Sequence, residues 1–118
     1  MQKKRSKQRE WIICKNFILK EQCFLGKNTD GTAEYDDGVL TVTIKQNLDD
    51  YSKAITICHE IAHGLDFAFK EAKTDAQIEN ICNDLPKMII SLWLSYSPFR
   101  KGLVESDLRI ISKKKEKS

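Results

Sequence analysis

The sequence predicts an α+β protein in which a small antiparallel β-sheet packs against two main helices. Residues up to Lys45 contain runs of β-branched and aromatic side chains that are separated by turn sequences. From Asp49 onward, apolar residues recur every three or four positions, which is the period of an amphipathic helix. Because the strands come first and the helices follow, the order favours an α+β class over an alternating α/β class.

Two turn sequences divide the strand-forming half of the chain. EWIIC at 10–14 and NFILKEQCFL at 16–25 are expected to form strands or a hairpin. GKNTDG at 26–31 is expected to be a turn or loop, and YDDG at 35–38 is expected to be another turn. VLTVTIK at 39–45 alternates between two sets of side chains, as a strand with one buried face does.

The helical half contains its own start and stop signals. Either Asp49 or Asp50 is a suitable N-cap for a first helix of roughly twenty residues. TDAQ at 74–77 has the form of a capping box and opens the second helix. Pro86 is expected to kink or split that helix, and the Ser-Pro pair at 97–98 is expected to end it.

The 118 residues are expected to form one domain, at 10–112, between two disordered basic tails, at 1–9 and 113–118. The net charge is +3, yet residues 10–111 contain eleven Lys and Arg against sixteen Asp and Glu. The body of the protein is therefore acidic, which argues against a folded surface that reads DNA, although the tails leave nucleic-acid binding open. LVESDLRII, near the C-terminus, is compatible with either a short helix or a strand.

The sequence also argues against a membrane protein, a zinc ribbon and a secreted protein. No apolar run approaches the ~20 residues that a transmembrane helix needs, so no membrane association is expected. The four cysteines have no CxxC spacing, which argues against a cysteine-rich zinc ribbon. With no recognisable signal-peptide core at the N-terminus, the protein is expected to be cytoplasmic.

The chemistry-bearing motif is HEIAH at 59–63, which contains both histidines of the chain. Residues four apart on a helix share a face, so His59 and His63 can direct their imidazoles to one zinc ion. Glu60 follows the first histidine and can reach a zinc-bound water without binding the metal. This is the HExxH arrangement, in which the glutamate acts as the general base of a hydrolase.

A catalytic zinc site needs a third protein ligand, and no histidine remains to supply it. Glu79, on the second helix, is the preferred candidate, and Asp75 lies one turn earlier on the same face. Asp66 shares the histidine face and is a further candidate for the third ligand. Because it lies further along the axis, it is preferred as the acceptor of a hydrogen bond from a ligand imidazole. The metzincin extension does not fit, because Phe69 stands where its third histidine would be.

The segment VLTVTIKQNLDDYSKAITICHEIAHGLD resembles the core of small zincin-like proteins of phages and mobile elements, which are related to ImmA/IrrE-type metallopeptidases. TDAQIENICNDLPKM resembles the second helix of these proteins. The resemblance implies a minimal zincin-like fold with one zinc ion per chain. It implies that His59, His63 and Glu79 are the ligands, in the gluzincin manner, and that Glu60 is the general base. Better-known relatives cleave a repressor of a phage or mobile element.

Two functions therefore follow from the sequence. The first is a zinc-dependent endopeptidase that hydrolyses a cytoplasmic protein, such as a regulator of a phage or mobile element. The second is a non-enzymatic interaction protein in which zinc is structural or the site is vestigial. No residue is preferred for stabilising the oxyanion of a hydrolytic reaction. Tyr51, Tyr96 and Arg100 are the options, and each is more often a core or surface residue.

Overall fold

The computed structural model describes residues 8–23 and 25–117. Strands and helices follow in the expected order, with a third helix at the C-terminus. The elements are β1 (Arg9–Cys14), β2 (Phe17–Gln22), β3 (Gly31–Asp36), β4 (Val39–Lys45), α1 (Asp50–Glu71), α2 (Asp75–Ser95) and α3 (Ser97–Lys117). The α+β class predicted from the sequence is confirmed.

The four strands form one sheet in the order β1-β2-β4-β3. The outer pairs, β1 with β2 and β3 with β4, are antiparallel hairpins. The central pair, β2 with β4, is parallel, so the sheet is mixed and the expectation of a wholly antiparallel sheet was wrong. The cause is the loop after β2, which carries the chain to the far edge, so that the turn after β3 places β4 against β2.

Turn chemistry fixes the β3–β4 hairpin. Asp37 and Gly38 both have positive φ angles, 51° and 78°, as the two central residues of a type I′ turn require. Glycine accepts this conformation without steric cost, and aspartate is among the residues that tolerate it best. The turn that the sequence predicts at YDDG is therefore confirmed.

One face of the sheet is covered by helices and forms the core. Alternate side chains of β2 and β4 are buried there, at 2% exposure or less: Phe17, Leu19, Leu40, Val42 and Ile44. α1 lies close against this face because residue 64 is glycine. A Cβ atom at Gly64 would lie 2.2 Å from Cδ1 of Leu40, well inside van der Waals contact.

The helix boundaries follow the signals in the sequence. Asp49 caps α1, its side chain accepting a hydrogen bond from the amide of Ser52 at 2.7 Å. Thr74 and Gln77 form the predicted capping box of α2. Pro86 lies inside α2 without splitting it, and α2 ends at Ser95, as predicted from the following Ser-Pro pair.

α3 settles the open question about LVESDLRII, which is helical. The helix continues to Lys117 and so includes most of the segment expected to be a disordered tail; its Lys-rich and Glu-containing composition favours helix. Of the predicted N-terminal tail, residues 1–7 lie outside the described residues. None of the described helices combines the length and apolar character needed to cross a membrane.

A buried polar cluster joins the sheet to two helices. Glu21 of β2 is 2% exposed, and its carboxylate lies 3.0 Å from Nζ of Lys53 on α1. The hydroxyl of Tyr96, directly after α2, donates a hydrogen bond to the same carboxylate oxygen. Burial, together with this bond to a carboxylate, raises the pKa of Tyr96 far above its usual range. The Tyr96 ring also meets that of Trp11 edge to face, with centroids 4.9 Å apart.

Candidate metal centre

His59 and His63 lie on the outward face of α1. The residues that point into the core from this helix include Ile57, Ile61 and Gly64. At 100° per residue, His59 lies about 160° around the helix from Ile57. Both imidazoles are exposed to solvent, so a metal ion could reach them without any rearrangement of the core.

The two imidazoles converge on each other. Their Nε2 atoms are 3.1 Å apart, and the ring centroids are 4.7 Å apart. Two nitrogens that each bind a zinc ion at ~2.05 Å with a tetrahedral angle lie ~3.3 Å apart. The pair therefore fits two positions of a zinc site. The same distance also allows a hydrogen bond between the two rings.

Glu60 occupies the side of α1 between the histidines and the core. It is 9% exposed, and Cγ lies against β3, where a Cβ atom on Gly31 would approach it to 3.0 Å. Within the described part of the chain, its carboxylate takes part in no hydrogen bond or ion pair. Glu60 is therefore held in place by packing of its stem, while its oxygens remain available to accept a proton.

An open cleft runs between β3 and the outward face of α1. It has a volume of about 550 Å³ and is lined on the strand side by residues 33–36. The helix contributes Phe67, Lys70 and Glu71. Phe67 is one turn beyond His63 on the same face, so the cleft begins one helical turn from the histidines, which do not line it. β3 is an edge strand, since only β4 pairs with it among the described residues.

The structure does not bring a third ligand to the histidines. Among residues 8–23 and 25–117, no group of three or more His, Cys, Asp or Glu is arranged to hold a metal ion. Glu79 and Asp75 are exposed near the start of α2. Glu79 lies about 180° around that helix from Met88, which is buried in the core. The role of Glu79 as a ligand stays a prediction.

Asp66 forms an ion pair with a lysine on its own helix. Its carboxylate lies 2.9 Å from Nζ of Lys70, one turn along α1, and both side chains are exposed. An exposed ion pair of this kind contributes about 1 kcal/mol or less to stability. The hydrogen bond from a ligand imidazole to Asp66 stays a prediction.

The structure also shows where the three residues considered for oxyanion stabilisation lie. The hydroxyl of Tyr96 is buried against Glu21, so it points into the core and away from the histidines. Nη1 of Arg100 donates a hydrogen bond of 2.7 Å to the carbonyl of Trp93. Tyr51 lies in the first turn of α1, two turns before His59. Tyr96 is therefore a core residue, which is the ordinary role that the sequence also allowed for it.

Gly31 lies beside the candidate site, which the sequence did not reveal. It was expected to belong to a turn, yet it is the first residue of β3 and allows that strand to approach α1. An added Cβ atom would also lie 2.6 Å from Cγ2 of Thr56. The signal available in the sequence was a glycine immediately before a β-forming run, which often marks a close backbone approach.

The chain matches no protein-family model, and comparisons with curated proteins and with solved structures found no match either. The resemblance to zincin-like proteins therefore rests on the sequence segments 39–66 and 74–88 alone.

Proposed function

We propose that this chain is a zinc-dependent peptidase whose site is built on α1. The observation that carries the proposal is the convergence of the two Nε2 atoms at 3.1 Å beside a packed, unpaired glutamate. If the two histidines were a coincidence, nothing would require a buried glutamate between them and the neighbouring strand. Glu60 occupies that position. The arrangement matches the needs of metal-assisted hydrolysis.

His59 and His63 would hold the zinc ion through Nε2. When bound, zinc lowers the pKa of a coordinated water towards neutrality and polarises a carbonyl group. Glu60 accepts the proton of the attacking water at its carboxylate and passes it to the leaving amine as the C–N bond breaks. The proton that leaves the nucleophile thus ends on the new amino terminus, and the peptide is cleaved with water as the only co-reactant.

The third ligand in this proposal is Glu79, which would need the first turns of α2 to turn towards α1. Residues 73–80 are all exposed, so these turns bury little surface against the rest of the protein. Segments with few buried contacts reorient at low cost in free energy. A catalytic site of three protein ligands then keeps one position for water.

The substrate in this proposal is an extended segment of a protein. The free edge of β3 offers unpaired backbone groups, and an extended peptide can add to such an edge as a further strand. Phe67, at 44% exposure, provides an apolar wall for a substrate side chain in the cleft. A cytoplasmic regulator of a phage or mobile element is the substrate class that the resemblance suggests.

The test compares wild-type protein with Glu60→Gln after zinc loading. Hydrolysis of unfolded casein and of a fluorogenic peptide library should fall by ~100-fold or more, while zinc content and thermal stability are retained. Glu10→Gln, an exposed change on β1, is the matched control and should leave hydrolysis unchanged. Equal activity in the wild-type and Glu60→Gln proteins would refute the mechanism.

The non-enzymatic alternative keeps one observation in its favour. The described residues supply two zinc ligands on an exposed helix face, which is also what a metal-bridged interface between proteins presents. In that case wild-type protein would bind zinc and hydrolyse nothing, and Glu60→Gln would be silent in every assay. The same pair of proteins therefore separates the two functions.

A further inference from the structure

We propose that zinc also links two copies of this chain, with α1 of one copy lying antiparallel across α1 of the other. A single ion is then held by His59 and His63 of both copies. This inference rests on the zinc binding that the proposed function requires, and it describes a closed form of that site. Tetrahedral zinc takes four ligands, and two equivalent histidine pairs supply all four.

The position of the histidines on the helix favours a two-fold contact. α1 runs from Asp50 to Glu71, so its midpoint falls between residues 60 and 61. The midpoint of His59 and His63 is residue 61. A two-fold axis through this point brings the two histidine pairs together and makes the two helices cross near their centres, with their i±4 ridges aligned. Contacts of this self-complementary kind are the commonest in homodimers.

The side chains flanking the histidines have the same symmetry. Ile55, His59, His63 and Phe67 are four residues apart and form one ridge on the outward face of α1. Ile55 is 45% exposed and Phe67 is 44% exposed. Each lies six residues from the midpoint, on opposite sides. The two-fold axis therefore packs Ile55 of one copy against Phe67 of the other, and these apolar contacts flank the metal on both sides.

The dimer would be an inactive form of the enzyme. Four histidine nitrogens leave no coordination position for water, so the chemistry assigned to Glu60 cannot begin. Phe67 also lines the cleft beside β3, so docking of the second copy covers the place proposed for substrate. The ratio of zinc to protein then determines whether the chain is a dimer or a monomer. The dimer needs one ion for two chains, and the active monomer needs one ion for each chain.

The experiment titrates metal-free, full-length protein with zinc chloride and follows mass by sedimentation velocity and by native mass spectrometry. We expect dimers that contain one zinc ion to accumulate up to half an equivalent of zinc. Excess zinc should then give monomers with one ion each, and chelation should return metal-free monomers. Protein that stays monomeric throughout and binds one zinc per chain would overturn the dimer and leave the proposed function standing.

Two variants test the interface without touching the ligands. Ile55→Glu and Phe67→Glu should each raise the dimer dissociation constant at least about tenfold while keeping one zinc per chain at excess metal. Leu94→Glu, at a position on α2 that is 72% exposed, is the matched control and should leave the dimer unchanged. A dimer that tolerates both changes, or that forms without zinc, would overturn the inference. A wild-type protein that binds no zinc would overturn both proposals.

Discussion

Replacing Lys53 with methionine tests the buried polar cluster that ties α1 to the sheet. The ion pair with Glu21 has a length of 3.0 Å, and the two side chains are 12% and 2% exposed. Methionine preserves the length of the stem but leaves the Glu21 carboxylate buried without its cation. Removing one partner of a buried ion pair costs about 3–5 kcal/mol of unfolding free energy.

The expected change in Tm follows from the length of the chain. Unfolding entropy is about 2.1 cal/mol/K per residue near the midpoint, which gives roughly 0.25 kcal/mol/K for a chain of this length. A loss of about 3 kcal/mol should therefore lower Tm by roughly 12 °C. Circular dichroism melts and urea unfolding measure the two quantities independently.

Lys70→Met is the matched control for this prediction. Its ion pair with Asp66 is equally short, at 2.9 Å, but the side chains are 72% and 57% exposed. An exposed pair contributes about 1 kcal/mol or less, so Tm should fall by no more than about 4 °C. Equal losses in Lys53→Met and Lys70→Met would refute the reasoning, because burial is the main difference between them.

Three further predictions concern the site and its surroundings. Gly31→Ala should displace the Glu60 side chain, because the added Cβ atom would crowd it. The rate of hydrolysis should then fall by up to about 100-fold, with zinc content unchanged. An undiminished rate would show that Gly31 does not position Glu60. Because the folded state raises the pKa of Tyr96, this group stabilises the fold fully below pH ~10, where an unfolded tyrosine titrates, and the stabilisation is lost as pH rises further. Urea unfolding should therefore show stability falling above pH ~10, and Tyr96→Phe should abolish that part of the fall. Glu79→Gln should weaken the binding of one zinc per chain at least about tenfold. It should leave unchanged the zinc-bridged dimer that forms at half an equivalent of zinc. Loss of that dimer would contradict the proposal that only histidines hold the bridging ion.

Local chemistry made much of the fold predictable. The Asp37-Gly38 turn needs two positive φ angles, and the Thr74 capping box needs specific side chains, so both can be identified in single segments. The histidine pair was equally local, because i and i+4 positions share a helix face whatever surrounds the helix. Such features depend on a few consecutive residues and therefore carry over directly from sequence to structure.

Features that join distant parts of the chain were harder to predict from the sequence. The parallel pairing of β2 with β4 depends on where the intervening loop carries the chain, which no residue in either strand encodes. The orientation of Glu79 depends on how α2 packs, and its apolar stripe leaves more than one orientation open. The burial of Tyr96 against Glu21 joins residues 75 positions apart, so the sequence alone does not show which partner this hydroxyl has.

Zinc content is the most direct test of the central claim, that His59 and His63 form a zinc site. Native mass spectrometry of zinc-loaded wild-type protein and of His63→Ala, both freed of loosely bound metal, gives the number of ions per chain. The account predicts one zinc per chain in the wild-type protein at excess metal and none in His63→Ala. A wild-type protein that retains no zinc, or a variant that retains as much as the wild type, would contradict it.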